Sequence, residues 1–240
     1  MKLSKVFLTA VSLMPALAFA QGGGVKPEDL LKPLKNDWPT YNGDYSGKRF
    51  SELKQIDRTN VQHMTLAWSA RFTGGMEANP GGRRSRSHDR LIVGGEGPGD
   101  ITIRGSSIKA SVLEVDGTLY FTMPDNAWAV DAHDGRVLWH YFWKTKGGTH
   151  IGNRGLAMWN NYLYMETPDD YLVSLDAKTG KERWNKVIAD VDQGYFSTPA
   201  PIIAGNHVLV GTGNDIDSAG FLKSYDPETG DLQWTYYTVP

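Results

Sequence analysis

The chain has 240 residues, 40% of them hydrophobic and 22% charged, and a formal net charge of −2. That balance allows a globular core, and it supplies neither a basic field for nucleic acid nor an acidic tail. There is no cysteine, which excludes disulfide staples, thiol catalysis, cysteine-ligated zinc and c-type haem attachment, so stability must come from packing.

In chain order, Lys2 and Lys5 precede an apolar run from Val6 to Leu17, followed by Ala18-Phe19-Ala20. This reads as a secretory signal peptide over residues 1–20; the run is too short to cross a bilayer and contains Pro15. An exported, periplasmic protein beginning near Gln21 is expected, with no membrane span once the signal is removed. Residues 21–36 form a loose lead with room for a short helix around Pro27 to Leu31. The organised region starts at Asp37-Trp38-Pro39-Thr40-Tyr41, where Asn42-Gly43 reads as a turn.

Leu66 to Phe72 has the character of a strand and resembles the ends of three later repeats, although no turn of their type precedes Trp68. It is expected to be the closing strand of a blade. Residues 73–105 form an insertion rich in Gly, Arg and Pro; its Arg83 to Arg90 centre reads as a solvated loop, with an anionic ligand as the alternative.

Three repeats follow. Strands are expected at Ser111 to Val115 and Thr118 to Thr122, around an Asp116-Gly117 hairpin, then at Ala127 to Val130 and Arg136 to Phe142. The same succession returns from Leu156 to Ile188 and from Ala200 to Tyr237. Each repeat carries Asp-x-x-x-Gly, at Asp131, Asp176 and Asp226, and then a tryptophan; Trp139, Trp184 and Trp234 are spaced by 45 and 50 residues. Four short strands per period of this size indicate an all-β chain, a β-propeller of four-stranded blades, here about three blades plus the closing strand. The aspartates and tryptophans of the turns are structural in this reading, because Asp bonds back to its own backbone and Gly supplies a positive φ.

The connections between second and third strands differ. They run from Met123 to Asn126, from Thr167 to Asp170, and then over ten residues from Gly211 to Gly220. That last loop reads Gly-Thr-Gly-Asn-Asp-Ile-Asp-Ser-Ala-Gly, which suits either a solvated turn or an oxygen-ligand cation site.

Trp38, Tyr41, Asp44 and Arg49-Phe50-Ser51, then Asn153-Arg154-Gly155-Leu156-Ala157, Leu175 to Gly180, Thr198-Pro199-Ala200-Pro201 and the Gly211 to Gly220 loop resemble the pyrroloquinoline quinone (PQQ)-dependent alcohol dehydrogenases. The resemblance runs from about Asp37 onward and implies an eight-bladed parent propeller. It also implies an oxidoreductase that passes hydride from an alcohol to PQQ, a calcium or lanthanide ion beside the quinone, and an electron acceptor such as a cytochrome c. By the same resemblance Arg154 pairs with quinone carboxylates and Thr198 hydrogen-bonds the cofactor, while Asp215 is the carboxylate ligand of the metal, with Asn214 and Asp217 as neighbours. Lys109 falls where methanol-type members carry glutamate. Gly148 and Thr149 stand where those members have adjacent cysteines, and His150 follows, able either to cover the ring or to sit as a plain loop histidine.

The catalytic Asp of the family is expected beyond Pro240, so this chain alone is expected to be incomplete and inactive. The alternative is a propeller without cofactor that serves as an envelope scaffold. Neither Gly-x-Ser-x-Gly nor Gly-x-Gly-x-x-Gly occurs, so neither a hydrolase nor a nicotinamide enzyme is indicated.

Overall fold

The computed structural model describes residues 24–76, 91–98, 107–213 and 218–239. The signal segment, the arginine-rich centre of the insertion and Asp215 with its neighbours Asn214 and Asp217 lie outside the described residues.

Strand β1 (Leu91–Gly94) precedes three antiparallel meanders. The first contains β2 (Leu113–Val115), β3 (Thr118–Met123), β4 (Asn126–Asp131) and β5 (Val137–Trp143); the second contains β6 (Ala157–Trp159), β7 (Tyr162–Glu166), β8 (Tyr171–Asp176) and β9 (Glu182–Val187). The third contains β10 (Ile202–Ala204), β11 (His207–Thr212), β12 (Phe221–Tyr225) and β13 (Leu232–Tyr237). Asp116 and Gly117, at φ 50 and 74, link β2 to β3, the two positive angles that a two-residue hairpin turn requires.

Two elements differ from the sequence reading. Within the expected loop insertion, Leu91–Gly94 pairs in parallel with β5, from Leu91 opposite His140 to Gly94 opposite Trp143, which makes the first blade five-stranded. Leu66 to Phe72 joins no sheet. Phe72 still packs edge-on against Phe121, at 4.9 Å between ring centroids, so this segment covers the blade through side chains rather than through a ladder. The expected helix near Pro27 is a run of turns that buries Leu30.

The blades are joined by one repeated contact. In each Asp-x-x-x-Gly turn the glycine N–H donates to the aspartate carbonyl, as Gly135 to Asp131, Gly180 to Asp176 and Gly230 to Asp226. The glycines take φ of 73, 71 and 72, and a methyl group on any of them would meet an indole: Trp68 at 2.5 Å, Trp139 at 2.6 Å and Trp184 at 2.8 Å respectively. Each indole N–H then donates to the turn it covers, to Ala132 (3.0 Å), Ala177 (2.8 Å) and Glu228 (3.0 Å). Apolar contact and a satisfied indole donor thus fall on one spot. Trp234 is 39% exposed, and Tyr236 and Tyr237 beside it are exposed as well.

These contacts predict that Trp139→Ala destabilises the protein by about 3–5 kcal/mol in urea unfolding. Gly180→Ala should also destabilise it, although it adds only one methyl group, because that methyl must displace Trp139 and the backbone must hold a positive φ. A neutral Gly180→Ala result would show that the indole does not sit on the turn.

Candidate functional site

The candidate residues converge where the chain enters the innermost strands. The Ser111 N–H donates to the Arg154 carbonyl at 2.9 Å, and the Arg154 N–H donates to the Thr198 carbonyl at 2.9 Å. Three consecutive blades are therefore stitched in series along their inner edge. Gly155, at φ 128, permits the approach; a methyl group there would lie 2.9 Å from the Ser111 carbonyl oxygen. Lys109 stands two residues before this seam, and its Nζ donates to the Ile151 carbonyl at 2.6 Å.

Arg154 is aimed by the residue before it. Asn153 is buried, donates through Nδ2 to the Glu166 carbonyl at 2.8 Å, and accepts through Oδ1 from the Gly155 N–H (2.9 Å) and the Thr122 hydroxyl (2.5 Å). With its backbone held on both sides, Arg154 points an exposed guanidinium outward. That guanidinium makes no hydrogen bond or ion pair with any described residue, and the Thr198 hydroxyl likewise has no partner among them. Arg154 also lines a cavity of about 440 Å³ between the lead, at Tyr41 and Tyr45, and the strand-entry residues Pro199 and Pro201. The Ser111 hydroxyl fixes the lead there by donating to the Tyr41 carbonyl at 2.6 Å, and the Tyr45 hydroxyl donates to the Ile203 carbonyl.

His150 lies beside this edge with both ring nitrogens engaged: Nε2 is 2.7 Å from Asp125 Oδ2 and Nδ1 is 3.1 Å from the Gly148 carbonyl oxygen. Burial draws its pKa down, yet the hydrogen bond and charge of Asp125 outweigh that effect and hold it above the ordinary histidine value. Burial pushes Asp125 up to about 6, opposed by the same bond.

Behind the edge lies a set of buried acids. Asp169 accepts from the Trp143 indole (2.8 Å), the Thr167 hydroxyl (2.6 Å) and the Lys146 N–H (2.8 Å). Asp170 accepts from the Ser197 hydroxyl and is raised to about 6 by burial. Neither carboxyl oxygen of the fully buried Glu166 has a hydrogen-bond partner among the described residues, and burial raises its pKa well above the usual carboxylate range.

Of the five residues named from sequence, Arg154 and Thr198 are thus in direct backbone contact, Lys109 and His150 flank them through the segment at Gly148 to Gly152, and Asp215 lies outside the described residues. Asn153, Asp125, Asp169 and Glu166 were missed as parts of the site. For two of them a signal existed: Pro124-Asp125 and Pro168-Asp169 occupy the same place in successive repeats, as residues with a shared turn task do.

The chain matches the family model of the PQQ glucose/ethanol/alcohol dehydrogenase β-propeller domain over residues 38–240. It belongs to that family. Over 236 residues it is 34% identical to the quinohemoprotein alcohol dehydrogenase ADH IIB of Pseudomonas putida, covering 94% of this chain and 30% of that protein. The quinoprotein alcohol dehydrogenase PedH of the same species is 30% identical over 97% of this chain and 36% of its own length. Among solved structures, the quinohemoprotein alcohol dehydrogenase of Comamonas testosteroni superposes with a TM-score of 0.68 at 27% identity, over 90% of this chain and 29% of that one. A europium-containing methanol dehydrogenase gives 0.65 at 29% identity, over 89% and 34%. The chain therefore spans about a third of the length of these relatives. The family match makes the meanders blades of the family's β-propeller domain.

The buried acids carry a pH prediction. A carboxyl whose folded pKa is raised favours folding at low pH and loses that contribution as pH rises above its unfolded value. Wild-type stability should therefore fall relative to Glu166→Gln as pH goes from 5 to 8. Parallel urea midpoints for the two proteins across that range would mean that Glu166 does not titrate as its burial implies.

Proposed function

We propose that this chain is the quinone-binding portion of a periplasmic PQQ-dependent dehydrogenase that oxidises an alcohol. The observation that carries the proposal is the Arg154 guanidinium on the inner seam, without a hydrogen bond or ion pair among the described residues and held in backbone contact with Thr198 beside a buried asparagine. A planar, permanently charged group with no anion beside it among the described residues fits a ligand carboxylate in bidentate geometry.

When bound, PQQ supplies a two-electron acceptor for hydride, with a calcium or lanthanide ion as its Lewis acid. The chain's own residues would bind and orient it. Arg154 would take a carboxylate, the Thr198 hydroxyl would hydrogen-bond the rim, and Lys109 would add positive charge from the Ile151 side. Asp215 would provide an oxygen ligand to the metal. A europium-containing relative makes a lanthanide a reasonable occupant alongside calcium. His150 Nε2 and Nδ1 both face oxygen atoms of the chain itself, Asp125 Oδ2 and the Gly148 carbonyl. The carboxylate that takes the alcohol proton is assigned to no residue of this chain. Two of the relatives are quinohemoproteins, which supports a haem protein such as a cytochrome c as electron acceptor; without cysteine this chain cannot attach one in the c-type manner. The Lys2 to Ala20 segment supports export.

The test is reconstitution of the full-length protein with PQQ and calcium or a lanthanide salt, followed by alcohol-dependent reduction of an artificial acceptor. Arg154→Ala should weaken PQQ binding by about 100-fold, the loss of two charge-assisted hydrogen bonds at ~1.5 kcal/mol each. Undiminished PQQ binding by Arg154→Ala would overturn the assignment.

A further inference from the structure

We infer that Asp125 is a positioning residue acting through His150: the pair clamps the segment from Trp143 to Gly152 across the seam between the first two blades, and so sets where Lys109 and Arg154 stand. Its consequence for ligand binding rests on the quinone site proposed above; the clamp itself rests on geometry.

The segment leaves β5 and must cross from the first blade to the inner strand of the second. At its start the Trp143 N–H donates to the Asp125 carbonyl at 2.8 Å, while the Trp143 indole and the Lys146 N–H are taken by Asp169 of the β7–β8 turn. The chain thus runs between two turn aspartates, one from each blade. Gly148 lies so close to the second turn that a methyl group on it would be 1.9 Å from the Pro168 carbonyl oxygen. His150 then reaches back to the first turn. Its Nε2 meets an Asp125 carboxylate whose side chain is only 1% exposed, and its Nδ1 closes on the Gly148 carbonyl. One residue on, the Ile151 carbonyl receives Lys109, and two and three residues after that Asn153 and Arg154 enter the seam.

Hydrogen-bond chemistry fixes the state of the ring. Both nitrogens face oxygen atoms, an arrangement that favours the doubly protonated, cationic imidazole. That charge is what balances Asp125, whose other oxygen, Oδ1, is buried with no hydrogen-bond partner among the described residues. The ionisable groups that act on His150 are Asp125 from the β3–β4 turn and Asp169 from the β7–β8 turn, both of which raise its pKa; Lys146 is engaged with Glu96 and Tyr171, and Lys109 with Ile151. A histidine whose folded pKa is raised gives its contribution in full below the unfolded value and loses it as pH rises through the folded one. The clamp should therefore be tightest where Asp125 is ionised and His150 still protonated, and slacken as pH rises through the histidine's folded pKa.

The test compares full-length wild type with Asp125→Asn, which keeps the shape and removes the charge, and with His150→Gln, at a more exposed position, in case Asp125→Asn does not fold. Two quantities are read from pH 6 to 8.5: the PQQ dissociation constant by fluorescence titration, and amide hydrogen exchange of residues 146–152. In wild type both should loosen as pH rises. In the variants PQQ should bind about 10-fold more weakly at pH 6, as for loss of one charge-assisted hydrogen bond, with faster exchange in the segment and a flattened pH dependence of both. Variants that keep wild-type exchange and wild-type pH dependence overturn the clamp, whatever their thermal stability. Should wild type bind no PQQ, the quinone assignment fails while the exchange comparison still decides the clamp.

Discussion

The structure depends on one contact made three times, a tryptophan seated on the glycine of the following blade's Asp-x-x-x-Gly turn. The contact works because three demands meet at one residue. The turn needs a positive φ, the indole needs a flat apolar seat, and the indole N–H needs an acceptor; glycine satisfies the first two, and the adjoining carbonyl satisfies the third. Because two of these latches join one blade to the next and the third ties the Trp68 segment to the first blade, stability is a chain of nearest-neighbour terms. The buried cluster running from Leu113 through Trp139 and Leu163 to Val208 is the apolar counterpart of that chain.

A fold held together at its outer turns leaves the inner edge available for binding. There backbone hydrogen bonds run from Ser111 to Arg154 to Thr198, and the Arg154 and Thr198 side chains have no hydrogen-bond partner among the described residues. The polar residues behind them do the holding. Asn153 occupies its amide on three partners, and the turn aspartates tie down the segment that brings the chain to the seam. The result is an exposed cation on a rigid support, which lowers the ordering cost of binding an anion.

Between the second and third blades the protein accepts an electrostatic cost. Glu166 and Asp170 are buried acids with oxygens that lack a hydrogen-bond partner among the described residues, close behind the residues that precede Arg154 and Thr198. Groups of this kind are tolerated where the surrounding packing over-determines their place, and here each lies next to a seam that function needs kept in register.

The amino-acid order by itself determined the three blades and named a part of the candidate site. Strand alternation, the Asp116-Gly117 hairpin and the recurring tryptophan are local patterns, and local patterns are written directly in sequence. Arg154, Thr198 and Lys109 could be named because their neighbourhoods resemble those of a known family. What the sequence could not determine were contacts between residues far apart in the chain. Trp68 seats on Gly135 without forming a strand, because side-chain docking does not require a ladder. Leu91–Gly94 becomes an outer strand because β5 offers a free edge, which no reading of the insertion's own composition reveals. His150 was open between covering a ligand and sitting as a plain loop histidine, and its partner is far away in sequence: only the tertiary structure brings the Asp125 carboxylate, 25 residues earlier, within 2.7 Å of its Nε2.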